Sequence, residues 1–191
     1  MKSKTRENLL DEPEIEKLKK AAKDPADRFL VYSLLYTGMR ISELIHFRSS
    51  WIDWNRNLIK IPEMQTCLCN ECKTKKRIWK PKNITSARAI PIVREVHNIL
   101  QDFCAVHASV MDVVSNRVAA YDRIRSLGRK AKIKHRVFPH SLRGTFATIL
   151  ACKDFNSPEI MSLLGWKSLK TADHYIQLSA SRVIKAVAEK W

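Results

Sequence analysis

The sequence predicts a mainly α-helical fold with one small three-stranded antiparallel sheet. Two observations carry this. Most apolar residues recur at helical spacing between recognisable caps and stops. Only Trp51–Trp54, Leu58–Ile61 and Ala89–Val93 read as strands, the first two joined by an Asn55-Arg56-Asn57 turn. The chain has 191 residues and 45% hydrophobic content, enough for one domain with a sizeable core. No internal repeat, low-complexity segment or linker divides it, so residues 1–191 are read as one domain.

In chain order, the first helix is expected over Leu10–Lys23, with Asp11 as cap, Pro13 in the first turn and Glu14 and Glu16 suiting the dipole there. Asp24-Pro25 breaks it. Asp27–Tyr36 is apolar nearly all round and is expected to be a central helix, ended by Thr37 and a left-handed Gly38. A short helix then runs from Arg40 to Phe47. Arg40 in its first turn is electrostatically unfavourable unless an anion binds there or Glu43 pairs with it, and the stretch alone leaves these two readings even. Pro62–Arg88 is a 27-residue excursion between the second and third strands, long for a hairpin loop. Helices follow at Arg94–Val106, at Asn116–Leu127 with Gly128 as its stop, and from Pro139 through Leu150. Ser157-Pro158-Glu159 opens another, stopped by Gly165. Thr171–Tyr175 reads as a short helix, and Val183, Ile184, Val187, Ala188 and Trp191 form the apolar stripe of a last one.

Charge narrows the function classes. Thirty-five Lys and Arg against nineteen Asp and Glu leave a formal charge of +16, an excess that attracts polyanions, nucleic acid first among them. The excess is local: Lys73–Arg94 holds eight basic residues and no acid, and Arg123–Arg136 holds seven and none. Each run alone reads as a solvated face; two in one small domain favour a phosphate-binding surface. No apolar run approaches the ~18 residues that span a bilayer. No basic helix carries an aromatic face for a membrane surface. The first ten residues lack a signal-peptide core. The expected setting is therefore cytoplasmic, away from membranes, with the five cysteines reduced.

The chemistry concentrates near the end. His140 and Arg143 at i, i+3 share one helix face behind Pro139, which suits the first helical position. A helix N-terminus, an arginine and an imidazole make an anion site with an acid–base group beside it. Trp166 and Tyr175 follow, nine residues apart. Leu35-Tyr36-Thr37-Gly38-Met39-Arg40-Ile41-Ser42-Glu43-Leu44 resembles the first signature of the tyrosine recombinases, the phage-integrase family. Pro81-Lys82-Asn83-Ile84-Thr85-Ser86-Ala87-Arg88-Ala89-Ile90-Pro91 resembles its hairpin signature. Pro139-His140-Ser141-Leu142-Arg143 resembles its His-x-x-Arg, and Leu163-Leu164-Gly165-Trp166 with Tyr175 its closing signature. Each is weak alone; four in family order, over roughly residues 10–180, are specific.

The resemblance implies the catalytic-domain fold of that family and a site-specific recombinase or integrase acting on double-stranded DNA, as in integration by mobile elements. It implies that Tyr175 attacks a phosphodiester to give a 3′-phosphotyrosine and a free 5′-hydroxyl. Arg40 and Arg143 would clamp the non-bridging oxygens as always-charged planar forks. Lys82 would protonate the leaving 5′-oxygen, with Lys80 the alternative because it faces the same side of an extended segment. His140 would exchange a proton with the tyrosine or hold a phosphate oxygen. Trp166 stands where many members have a second histidine and would orient and pack, since an indole N–H donates but carries no proton. Glu43 would support the site. No cofactor or ATP is expected for catalysis, because two arginines do what a metal does in many nucleases. A homotetramer on paired DNA sites is expected, with a monomer in isolation and residues 179–191 as a helix exchanged between protomers.

Two departures from the family stand out. The chain starts at the catalytic domain, so the N-terminal clamping domain is expected to be absent. The hairpin insertion, residues 62–88, carries Cys67, Cys69 and Cys72. Cys69-x-x-Cys72 fits half of a zinc site and Cys67 a third ligand, with water, a histidine, Cys104 or Cys152 as fourth; the alternative is three free thiols. The rival functions are a type IB topoisomerase or resolvase of the same chemistry, a catalytically silent DNA-binding regulator, and a zinc-dependent DNA-binding module. The presence of Arg40, Lys82, His140, Arg143 and Tyr175 together argues against the silent regulator.

Overall fold

A computed structural model describes residues 4–67, 69–74, 76, 78–83 and 86–190. Among them the chain forms α1 (Glu12–Ala21), α2 (Pro25–Tyr36), α3 (Ile41–Leu44), β1 (Ile52–Asp53), β2 (Leu58–Ile61), α4 (Asn70–Thr74), β3 (Arg88–Pro91), α5 (Arg94–Val106), α6 (Arg117–Lys130), α7 (Pro139–Cys152), α8 (Ser157–Leu164) and α9 (Leu169–Lys190). This is the expected mainly helical architecture with one three-stranded antiparallel sheet in the order β1-β2-β3.

The first cap works as the sequence implies. The Asp11 carboxylate accepts the Glu14 amide at 2.9 Å while the Glu14 carboxylate accepts the Asp11 amide at 3.1 Å. Asp24-Pro25, expected only to break the first helix, instead opens α2 two residues before the expected Asp27: Asp24 caps it and Pro25 enters its first turn. On α2, Phe29, Leu30, Val31, Leu34 and Leu35 are fully buried, so it is the central helix, packed on α5, α6 and α7. Phe29 stacks on Phe103 at 3.8 Å between centroids and tilts against Phe47 at 5.4 Å. In the sheet, Ile59 lies opposite Ile52 and Ile90 and faces the core, while Lys60 and Ala89 alternate outward. A second apolar cluster joins Leu9, Phe146, Leu150, Ile160, Leu164 and Tyr175 between α7, α8 and α9.

Four further details differ from expectation. The first strand is shorter: Ser49–Trp51 is a 3₁₀ turn that puts the Trp51 indole into the core, edge-on to Phe47 at 5.8 Å. Helix α6 runs through Gly128 to Lys130, because this glycine serves a close approach and not a stop; a Cβ there would lie 2.6 Å from the Val137 Cβ. The segment between β2 and β3 contains α4 and a Gln65–Trp79 backbone bridge, 3.0 Å in each direction. The two expected C-terminal helices are one, since residues 176–182 hold neither Pro nor Gly to break α9. Of the stripe expected on its last turns, Val187 is exposed, whereas Val183, Ile184, Ala188 and Trp191 lie outside the described side chains. No helix among the described residues is long and apolar enough to cross a membrane.

Candidate active site

The end of α8 is the scaffold. Gly165 takes the left-handed conformation (φ 59°), its amide bonding Ser162 O at 3.0 Å while the Trp166 amide bonds Met161 O at 2.9 Å. The carbonyls of Leu163, Leu164 and Gly165 are left pointing out of a helix C-terminus, where partial negative charge collects. Three arginines from three elements satisfy them. Arg88 Nε donates to Leu163 O at 2.7 Å, Arg143 Nη2 donates to Leu164 O, and Arg40 Nη2 donates to Gly165 O at 2.6 Å.

One carboxylate balances the three. Glu43, fully buried on α3, pairs with Arg40 at 2.7 Å and with Arg88 at 3.2 Å. Its other carboxylate oxygen also accepts the Arg40 amide at 2.8 Å. Burial alone would raise the Glu43 carboxyl, but the Arg88 charge and hydrogen bonds, then Arg143 and Arg40, outweigh it and hold it below its usual range. Arg40 is the residue before the first turn of α3 and donates also to Ser86 Oγ at 2.9 Å. The pairing with Glu43 is therefore made, and it does not exhaust Arg40 or neutralise the cluster.

Arg143 is the deepest of the three, 5% exposed. It also donates to the carbonyl of Gly38, whose left-handed backbone (φ 58°) and missing side chain let it approach; a Cβ there would meet Leu164 at 2.3 Å and Phe146 at 2.7 Å. Burial, then the charges of Arg40 and Arg88, push the Arg143 guanidinium well below its usual value. A guanidinium keeps its proton, so this pressure is relieved by an anion and not by deprotonation. Of the five N–H donors on each fork, Arg143 commits two and Arg40 three to protein acceptors. The remainder are what a phosphate could take.

The aromatic pair stands beside Arg143. The Trp166 ring lies 5.8 Å from the guanidinium carbon and stacks on Tyr175 at 5.3 Å and 21°. Tyr175 is 8% exposed, and its hydroxyl lies 3.1 Å from where a Gly144 Cβ would sit. So the tyrosine oxygen rests against α7 one residue beyond Arg143. His140, at i−3 from Arg143, keeps an exposed face. Partial burial, then the charges of Arg143, Lys82, Arg40 and Arg117, lower its pKa. Its neutral form is thereby favoured at neutral pH. Lys82 is exposed on the loop before β3 and acts electrostatically on His140; Lys80 is exposed too. Exposed Arg129, Lys130, Lys132, Lys134 and Arg136 lead into α7.

The structure thus gathers Arg40, Arg143, Trp166 and Tyr175 tightly, with His140 and Lys82 at the rim. Sequence reasoning gave Arg88 no place in the site, because its pairing with Glu43 spans 45 residues.

A second constellation lies at the other end of α3. His46, Cys67, Cys69 and Cys72 are all buried, and their ligand atoms lie within 4.8 Å of one another. This is the donor set and spacing of a metal site. The fourth position left open by the spacing of the cysteines is a histidine, and Cys104 and Cys152 are outside the group. Sequence distance hid His46, 21 residues before Cys67.

Comparison with known proteins identifies the family and the fold. The model of the phage integrase family matches residues 8–182. The tyrosine recombinase XerA of Saccharolobus solfataricus is 28% identical over 172 residues, covering 88% of this chain and 52% of that protein. Staphylococcus aureus XerD is 26% identical over 186 residues, with 93% and 57% coverage. The chain therefore spans about half the length of the curated relatives it matches. The crystal structure of XerA recombinase superposes with a TM-score of 0.73 at 24% identity, covering 95% of this chain and 62% of that one. The Tn1549 transposon integrase in complex with transposon right-end DNA superposes with a TM-score of 0.70 at 20% identity, covering 94% and 66%.

Proposed function

The chain belongs to the phage integrase family, and from that premise we propose that it is the catalytic part of a site-specific recombinase that cleaves and rejoins double-stranded DNA through Tyr175. The observation that carries the reading is the convergence of two incompletely committed arginine forks, Arg40 and Arg143, beside the Trp166–Tyr175 stack.

The scissile phosphate would sit between the two forks. The Tyr175 hydroxyl attacks phosphorus, the bond to the 5′-oxygen breaks, and a 3′-phosphotyrosine forms. Charge that builds on the non-bridging oxygens is met by guanidiniums already held in place, which is electrostatic preorganisation. The phenol, with an ordinary pKa of about 10, must lose its proton as it attacks. Neutral His140 is suited to help remove it or to hold a phosphate oxygen. Lys82, rather than Lys80, would give its proton to the leaving 5′-oxygen; support comes from its charge acting at His140 and from its spacing to Arg88. Trp166 holds the Tyr175 ring by stacking. Glu43 and Arg88 position Arg40 without touching the phosphate. In this reading no metal or ATP takes part, since the phosphotyrosine conserves the bond for a second 5′-hydroxyl to attack.

The exposed basic residues between Arg129 and Arg136 would track the DNA backbone. Strand exchange needs two duplexes, so we assign a homotetramer on paired sites. The C-terminal half of α9, on which Val187 is 53% exposed, would be exchanged between neighbours.

The test is a covalent-adduct assay with nicked duplexes carrying candidate sites, run on denaturing gels. Wild type should give a DNA-linked band whose peptide maps to Tyr175, and Tyr175→Phe should give none. An equal band from Tyr175→Phe would overturn the assignment of the nucleophile.

A further inference from the structure

The Cys–His cluster takes no part in the chemistry above, yet it is built like a ligand shell. Three observations point the same way. The first is distance. Cys69 Sγ and Cys72 Sγ each lie 3.6 Å from His46 Nε2. A tetrahedral zinc with Zn–S of ~2.3 Å and Zn–N of ~2.0–2.1 Å sets sulfur and nitrogen about 3.6 Å apart. The second is the orientation of the imidazole. His46 Nδ1 lies 2.7 Å from the Ser42 carbonyl, which only accepts, so Nδ1 carries the proton and Nε2 turns its lone pair to the sulfurs. The third is the polarity of the loop. The Cys69 amide donates to Cys67 Sγ at 3.4 Å and the Cys72 amide to Cys69 Sγ at 3.3 Å, so backbone N–H groups face sulfurs as they do around thiolates. Cys72 is 1% exposed, which keeps water from the group.

We infer that His46, Cys67, Cys69 and Cys72 bind one zinc ion in a closed tetrahedral shell. Four protein ligands leave no open position, so the metal is structural. Its place in the fold says what it stabilises. His46 follows α3, whose other end carries Arg40 and Glu43. Trp79 stacks on the same imidazole at 5.0 Å and bridges Gln65, and Gln65 bonds the Trp51 indole at 2.8 Å and the His46 carbonyl at 2.7 Å. The ion would complete this knot and fasten a polar, basic insertion to the helix of the catalytic arginine. Lys82 leaves the knot three residues after Trp79, so the metal would also position the segment that carries the general acid. That last step rests on the function proposed above; the binding of zinc does not.

The experiment separates the two. The full chain, purified without chelator, is analysed for metals and titrated with cobalt(II) under reducing conditions. One zinc per chain is expected, and cobalt should give the intense thiolate charge-transfer band of a tetrahedral sulfur site. Cys72→Ser and His46→Ala should drop zinc to background, while Cys152→Ser keeps it. Circular dichroism of the variants, together with chelator treatment of wild type, guards against simple misfolding: chelation should make three further thiols reactive. Wild type with neither zinc nor a cobalt band, or with unchanged thiol reactivity after chelation, overturns the site. A different metal at full occupancy overturns its identity as zinc. A zinc-loaded protein that forms no Tyr175 adduct would count against the recombinase reading and leave the metal site standing.

Discussion

The two ends of α3 face opposite electrostatic problems. At its start, Arg40 and Arg88 pair with one carboxylate, Glu43, with the Arg143 charge nearby, and the local charge stays positive although every guanidinium has protein partners. Beyond its other end, three sulfurs and an imidazole nitrogen, all from buried residues, lie within 4.8 Å of one another. The first arrangement leaves positive charge that suits an anion, and the second offers donors that suit a cation. A helix of four residues separates them.

The strongest break in that contrast is Arg143→Ala. It removes the most buried fork and should lower single-turnover adduct formation by about 10³-fold. Arg143→Lys keeps the charge and should still lose about 10²-fold, because one ammonium nitrogen lacks the planar fork that reaches Gly38 O, Leu164 O and a phosphate at once. Full activity in the lysine variant would mean that charge alone matters at this end. Glu43→Ala comes next: it leaves two buried guanidiniums without their carboxylate and should destabilise the fold by about 3 kcal/mol, read by denaturant unfolding. Added sulfate should recover part of that loss if an anion can take the place of the carboxylate.

Gly144→Ala sharpens the comparison at closer range. Its methyl would press on the Tyr175 hydroxyl at 3.1 Å and on Leu9 at 2.7 Å. Cleavage should fall by about tenfold or more with DNA affinity unchanged, since a misplacement of the order of 1 Å suffices. If zinc fills the Cys–His group inferred above, its removal should act locally: hydrogen exchange should quicken across residues 62–87 while α7 stays protected. Equal loosening of α7 would show the two ends to be one cooperative unit.

The smallest effect is in pH. His140 titrates below its ordinary 6.5, first through burial and then through the charges around it. If its neutral form assists the tyrosine, the acid limb of the rate profile lies below pH 6.5 and flattens in His140→Gln. The same shift carries a stability sign. Between the lowered value and 6.5 the unfolded chain binds more protons, so this contribution is intact above pH 6.5 and is lost as pH falls through the lowered value.

Local physics determined much of this protein from sequence alone. The cap at Asp11, the all-apolar α2, the left-handed Gly38, the stop at Gly165 and the isoleucine strand β2 are each legible because the forces that set them act within a few residues. The ordered motifs brought Arg40, His140, Arg143, Trp166 and Tyr175 into view for the same reason, each being read on its own element. Relations between distant residues were set only on folding. Gly128 looks like a stop until Val137 is packed against it. Nothing near Arg88 tells that it shares Glu43 with Arg40 and caps α8. Nothing near His46, a histidine just past a short helix, tells that three cysteines from an insertion more than twenty residues away gather beside it. A hydrogen bond or a ligand shell needs partners in space, and only folding sets which residues those are.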